Sequence, residues 1–418
     1  MSRKLIFLIV IGIGLVFIIG IIFFGRKPEL PEITLVVWGF DKREVFSEIF
    51  ENYKKLRPNV KIEYFQKSYS NYEKDLIDAL ASGKGPDVFF IKNTWLLKHK
   101  NKLAPMPQNL ASFKEIKDAF VDVVLKDFSS DQKIYALPLS VDTLALYWNK
   151  DLFNNASIAL PPKTWSEVKT ITSKLTKTDV SGKIVQSAIS MGTFSNIDNA
   201  SKIILTLMLQ KKENLFDLKR KKFLFDKNVE DALDFYLQFS DPFSYYYTWN
   251  NEMHWSIDSF SEGNLAMMID FSYQKKVIQD KSPYLNFSVA PLPQFSDKKA
   301  TFASYWGLAT SITSKHPYWA WDLILYLVNN PSAEIYLKKT KKPPALRFLI
   351  SKYLNDPEIG VFCQQSLYAK TFPIKDEKEL DNLVKEMIES LIKKEKTKKE
   401  ALEEFGKKIE NFYRNENY

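Results

Sequence analysis

The sequence predicts an α/β protein built on a parallel sheet covered on both faces, placed behind a single membrane-crossing helix. Two observations carry this. Five elements, strand, helix, strand, helix and strand, follow one another over residues 33–91, which is the signature of parallel strands joined by helical crossovers. Residues 5–25 (LIFLIVIGIGLVFIIGIIFFG) form an apolar run with no charge. The chain has 418 residues, enough for two or three folding units at about 100–200 residues each.

The apolar run comes first. At 1.5 Å per residue a helix of this length spans about 30 Å, the thickness of a bilayer core. Arg3 and Lys4 precede it, so residues 1–4 are expected to stay in the cytoplasm and the rest to be exported. A cleaved signal peptide is the alternative, but its apolar stretch is usually about 7–15 residues and ends in small residues. Here the run ends IIFFGRKPE. Lipid attachment needs a cysteine at that point, and Cys363 is the one cysteine of the chain. Residues 26–31, with two prolines within RKPELPE, read as an extended spacer.

The remaining elements follow from pattern. Residues 33–40 (ITLVVWGF) are rich in β-branched and aromatic side chains, hence a strand. Val45, Phe46, Ile49, Phe50, Tyr53 and Leu56 recur at helical spacing, until Pro58 stops the helix. Residues 60–65 alternate as a strand, 71–81 are helical, and 86–91 (PDVFFI) are a buried strand. Residues 134–150 are long for one strand and suit a segment passing from one sheet to another. Thr164 followed by Glu167 is a helix-start signature. Helices are expected over 199–210, 228–239 and 317–328, strands over 265–270, 286–290 and 302–312, and two charged-faced helices over 377–413.

Composition removes several function classes. With 45% hydrophobic and 26% charged residues, the chain is an ordinary globular protein. The net charge of +9 comes from lysines interleaved with Asp and Glu, without a nucleic-acid motif, so no nucleic-acid partner is expected. A single cysteine excludes an intrachain disulfide and a multi-thiolate zinc site. His99, His254 and His316 are scattered, leaving no H-x-x-x-H metal pair. There is no G-x-S-x-G elbow, and Gly83-Lys84-Gly85 lacks the spacing of a phosphate loop. No catalytic residue, cofactor or metal is expected.

In parallel sheets ligands bind beyond the carboxyl ends of the strands. Asp41 and Lys42 follow the first strand; Asn93, Thr94 and Trp95 follow the third. Polar and aromatic residues at such a place are candidate ligand contacts.

Several segments, in order, resemble the extracellular solute-binding proteins of ABC-type carbohydrate importers, the maltose-binding-protein-like family. They are LVVWGFDK (35–42), SGKGPDVFFI (82–91), IYALPLSVDTLALYWNKDLF (134–153) followed by PPKTW (161–165), SFSEGNLAMMID (259–270), YWGLATSITSKHPYWAWDLILYL (305–327) and TKKEALEEFGKKIENF (397–412). The resemblance implies a type II periplasmic-binding-protein fold of two α/β lobes, crossed three times by the chain, near Asp142, Tyr305 and Pro343. Lobe one is then 32–142 plus 306–342, and lobe two is 143–305 plus 343–418. It implies a monomer on the outer face of the cytoplasmic membrane that closes like a jaw on a sugar or oligosaccharide and delivers it to ABC permease subunits. By matching positions, the resemblance marks Asp41, Lys42, Asp142, Tyr273, Trp306, Trp95 and, more loosely, Phe194 as ligand-binding residues. One aromatic of the maltose site has no counterpart, the matching stretch reading KDEKELDN (375–382). Two other readings stay open: a sensor or adhesin input protein with the same jaw, and an anchored glycoside hydrolase using Asp41 and Asp142 as a carboxylate pair.

Overall fold

The structure, a computed structural model, describes residues 31–414. The expected anchor, its cytoplasmic stub and nearly all of the spacer lie outside these residues. No helix of the described residues is long and apolar enough to cross a membrane.

Three sheets organise the molecule. The first is six-stranded. Ile33–Gly39 lies between Val60–Gln66 and Val88–Lys92, parallel to both. Trp306–Ser311 then runs antiparallel to Val88–Lys92 and also pairs with Leu103–Ala104 and Ala136–Pro138. The alternation over 33–91 therefore describes half of this sheet, and the antiparallel strand arrives from far along the chain. The second sheet is five-stranded, ordered Lys177–Thr178, Ile184–Ile189, Leu265–Asp270, Ala145–Asn149, Phe287–Ala290. A third, of three short strands, joins Asp142–Thr143, Thr301–Ser304 and Ala369–Lys370.

Two hydrophobic cores correspond to the two large sheets. Leu35, Val37, Val88, Ala136, Leu308 and Trp321 belong to one. Leu146, Trp165, Ile189, Trp249, Met267 and Leu402 belong to the other. Each large side chain so buried contributes about 1.5–3 kcal/mol, so each lobe has its own source of stability.

The three-stranded sheet is where the chain passes between cores. Residues 134–150 divide as their length suggested: Ala136–Pro138 is in the first sheet, Asp142–Thr143 in the small sheet and Ala145–Asn149 in the second. The single strand expected over 302–312 is broken at Tyr305. Asn93 donates its backbone N–H to Tyr305 O (3.0 Å) and accepts from Tyr305 N at its Oδ1 (3.3 Å). That clamp takes both backbone groups of Tyr305 out of the ladder. The third passage was expected near Pro343. Ala345, Leu349, Ile350 and Ile359 pack in the first core, and Phe372 and Ile374 in the second. We propose that the crossing lies at Ala369–Lys370 rather than near Pro343. Pro343 still touches the first passage, accepting a hydrogen bond from Val141 N (3.1 Å).

Local signals explain most helix boundaries. Arg43–Leu56 buries Phe46, Ile49, Phe50 and Tyr53, one stripe of a 3.6-residue repeat. Thr164 caps Trp165–Leu175 by accepting from Glu167 N (3.2 Å). The reciprocal arm differs from a capping box: Glu167 Oε2 accepts from Lys163 N (2.6 Å), one residue earlier. Cys363 is buried in the helix Gly360–Ser366, and burial pushes its thiol up to about 12, which leaves it without thiolate character.

Candidate functional site

A cavity of about 900 Å³ opens between the lobes. Its first wall is built on strand ends. Phe40 follows Ile33–Gly39, Lys92 ends Val88–Lys92, and Trp306 begins the antiparallel strand opposite Lys92 in register. Directly opposed residues share a sheet face, so Lys92 and Trp306 project together. Around Trp306 the rings form a cluster. Phe40 meets it edge-on at 4.6 Å, Tyr69 is tilted at 5.9 Å, and Tyr69 stacks on Phe40 at 4.0 Å. Tyr69 is 59% exposed, so this cluster offers an aromatic surface to the cavity.

The facing wall comes from the second lobe. The loop after Leu265–Asp270 presents Ser272 and Tyr273. Tyr273 is 55% exposed, with its ring stacked over Phe271 at 6.0 Å. Aromatic faces thus stand on both sides of the opening, which suits a flat solute with apolar faces and polar edges.

Three carboxylates line the cavity; Glu358 pairs with Lys341 at 3.3 Å, and the other two are tied to groups nearer the aromatic walls. Asp41 Oδ1 accepts from Lys342 Nζ at 2.6 Å and Oδ2 from the Tyr336 hydroxyl at 2.7 Å. Asp142 lies on the small sheet. Its oxygens accept from Thr143 N (2.8 Å), Ser272 N (3.1 Å) and the Ser272 hydroxyl (2.8 Å). Burial pushes its carboxyl up to about 6, held from going further by those donors. Lys92 donates to Ser304 Oγ at 2.7 Å, and burial pushes its ammonium pKa down.

Asp41, Asp142, Tyr273 and Trp306, four of the seven residues marked from sequence, line this one cavity. The structure does not bring the other three to it. Lys42 is exposed at the start of its helix, past the point where the strand end faces the opening. Trp95 is set behind Trp306, edge-on at 5.1 Å, and is packed by Tyr72 and His99. Phe194 lines a separate hollow of about 270 Å³ on the second lobe, beside Asn199, Lys202 and Trp255. Phe40, Tyr69 and Lys92 also line the cavity without having been expected there, although strand-end position marks the first and third. Ser272, Tyr336 and Lys342 reach the cavity through tertiary packing, which no local pattern announces.

The lobes also touch behind the cavity. Thr371 donates to Asp127 Oδ1 at 2.6 Å, and Tyr305 and Asn93 donate to Oδ2 at 2.7 and 3.1 Å. Thr94 donates to Glu377 Oε1 at 3.2 Å. Among the described residues no group of His, Cys, Asp and Glu is arranged to hold a metal.

The chain is similar to a binding protein of Brucella abortus (strain 2308), 21% identical over 373 residues, covering 84% of this chain and 85% of that one. It is 22% identical over 338 residues to the galactooligosaccharide-binding protein of Bacillus subtilis (strain 168), covering 80% and 77%. Its fold matches the crystal structure of the cyclic alpha-maltosyl-1,6-maltose binding protein from Arthrobacter globiformis with a TM-score of 0.78 at 16% identity, over 92% of this chain and 100% of that one. That likeness shows a two-lobed α/β solute-binding fold. Residues 40–334 match the family described as bacterial extracellular solute-binding protein, and the chain belongs to that family.

Proposed function

We propose that this protein captures a sugar or oligosaccharide between its two lobes by jaw closure and passes it to the permease of an ABC importer. The observation that carries this reading is the pair of aromatic walls: Trp306 with Tyr69 on one lobe, Tyr273 on the other, lining one cavity. A ligand drives closure only by contacting both lobes at once, and a sugar ring with two C–H faces suits that task. The ligands named for two similar proteins, a galactooligosaccharide and cyclic alpha-maltosyl-1,6-maltose, support the substrate class.

Asp41, Asp142, Tyr273 and Trp306 are the ligand contacts in this reading, with Phe40 and Tyr69 completing the stacking surface. We read Asp41 and Asp142 as hydrogen-bonding groups. Their engagement by Lys342, Tyr336 and Ser272 suits fixed acceptors better than a proton-shuttling pair. The apolar run over 5–25 supports an anchor holding the lobes at the outer face of the cytoplasmic membrane.

A thermal-shift screen of the full-length chain against neutral sugars, charged sugars, polyols and amino acids tests the reading. A ligand at about a hundredfold excess over Kd adds roughly 2.7 kcal/mol of stability. A shift with saccharides, weakened in Trp306→Ala and Tyr273→Ala, is the expected result. A shift with amino acids and none with any saccharide rejects the substrate class.

A further inference from the structure

We propose that the captured saccharide carries an anionic group, a carboxylate or a phosphate, and that Lys92 receives it. This rests on the saccharide-capture reading and narrows its ligand class.

Three observations converge on the cation. Lys92 ends its strand inside the cavity and donates to one neutral acceptor, Ser304 Oγ at 2.7 Å. An ammonium has three donors. Among the described residues no carboxylate lies within ion-pair distance of it, although Asp142 and Glu377 are near enough to favour its charge weakly. Removing an ammonium from water without a counter-charge is costly, and a paired anion offsets that cost. A cleft that holds such a cation beside a neutral acceptor suits an anionic group on its ligand.

The rest of the lining agrees in sign. Six lysines (Lys92, Lys275, Lys276, Lys339, Lys341 and Lys342) face three carboxylates (Asp41, Asp142 and Glu358) around the cavity. Four of the six lysines are spoken for. Lys342 pairs with Asp41 at 2.6 Å, Lys341 with Glu358 at 3.3 Å, Lys339 with Glu48 at 3.5 Å and Lys276 with Asp280 at 2.9 Å. Lys92 sits deepest of the remainder. The pairing leaves Lys92 and Lys275 as the lining lysines without a carboxylate within ion-pair distance among the described residues.

Position supplies the geometry. Lys92 Nζ is 5.2 Å from the centroid of the Trp306 ring. That places Nζ over the ring face, a cation–π contact that offsets part of its desolvation, and leaves Nζ and Ser304 Oγ side by side as two polar groups at one edge of the aromatic wall. A neutral sugar would instead offer Lys92 a hydroxyl, leaving the ammonium without an anionic partner.

Calorimetry on the full-length chain with two matched pairs tests this: digalacturonate against galactobiose, and glucose 6-phosphate against glucose. The expected result is at least tenfold tighter binding of the charged member in one pair, weakening with added salt. Lys92→Gln should bring that preference close to unity, and Lys92→Arg should keep most of it. Preference in the first pair alone assigns a carboxylate, and in the second alone a phosphate. Equal or tighter binding of the neutral members overturns the inference while leaving saccharide capture standing. So does a charged-sugar preference that survives in a folded Lys92→Gln variant. Failure of all four sugars to bind, with a thermal shift from a non-sugar solute, overturns both.

Discussion

Asp142 ties the second-lobe loop to the interlobe strand: its Oδ2 accepts the Ser272 hydroxyl at 2.8 Å, and both its oxygens lie 3.1 Å from Ser272 N. Tyr273 is the next residue, so this bond fixes where the second aromatic wall stands relative to the first. Hydrogen bonds to a charged group contribute roughly 1.5–3 kcal/mol. Asp142→Ala should therefore weaken the best saccharide from the screen by about ten- to a hundredfold, read by calorimetry. The pH dependence has a definite sign. Burial has moved this carboxyl up to about 6, and the acceptor form is the ionised one. Affinity should hold above that value and fall as pH drops through it. An affinity flat from pH 7.5 to 5 would remove Asp142 from the ligand contacts.

Asp41 and Lys342 are 301 residues apart in sequence and 2.6 Å apart in space. The bond joins the loop after the first strand to the segment following helix Asn330–Thr340. Removing one partner of a fully buried pair costs several kcal/mol. Here Lys342 is 37% exposed at its side chain, and solvent screening reduces the value. A double-mutant cycle with Asp41→Asn and Lys342→Met should give a coupling of about 1 kcal/mol in urea unfolding. A coupling near zero would mean that Tyr336 alone suffices to place Asp41.

How far the sequence announced this arrangement depends on the range over which each signal acts. Helical spacing in Phe46, Ile49, Phe50 and Tyr53 and β-branched runs in 33–40 are local, and the elements they predict are present within a few residues. Strand-end position pointed to Asp41, which lines the cavity, since the chain must leave the sheet there. It pointed equally to Trp95, which stands back from the cavity, because whether a loop residue faces the opening depends on what stacks in front of it, here Trp306. The break at Tyr305 is set by Asn93, over two hundred positions away, so 302–312 looks like one strand in sequence. Lys342 and Tyr336 enter the site the same way, and periodicity carries no trace of such contacts.

Asp127 gathers donors from three parts of the chain: Asn93 and Thr371 with their side chains, Tyr305 with its phenol. Thr371 adjoins the proposed third passage between the lobes, so this carboxylate links the first lobe to it behind the cavity. Thr371→Val removes one donor from a buried acceptor and should cost about 1–3 kcal/mol. It should also raise a carboxyl already pushed to about 6 by burial, since a bond to the charged form is lost. NMR titration of labelled Asp carboxyls reads that shift directly. Stability lost without any upward movement of the Asp127 titration would show that Thr371 acts through packing instead.

Asp270 gives the sharpest pH test. It is 1% exposed, accepts from Asn199 Nδ2 (2.9 Å), Phe271 N (2.7 Å) and Gln274 Nε2 (3.2 Å), and has no cationic partner within ion-pair distance among the described residues. Burial pushes its carboxyl up to about 8, against about 3.9 in an unfolded chain. The native state then binds this proton more tightly than the unfolded state, and stability rises as pH falls from about 8 towards 4. Asp142 and Asp127 act in the same direction over a lower window, from about 6 to 4. Glu334 acts oppositely: Lys352 and Lys338 hold it down at about 2, so its contribution is present above its ordinary value and lost on further acidification. Asp270→Asn retains the oxygen that serves Asn199 and Phe271 while removing the charge. Its melting temperature should exceed that of the parent at pH 8.5, and the difference should close by pH 5. A gap that stays constant across that range would mean that Asp270 keeps one protonation state throughout, and that its burial is balanced by something other than the proton.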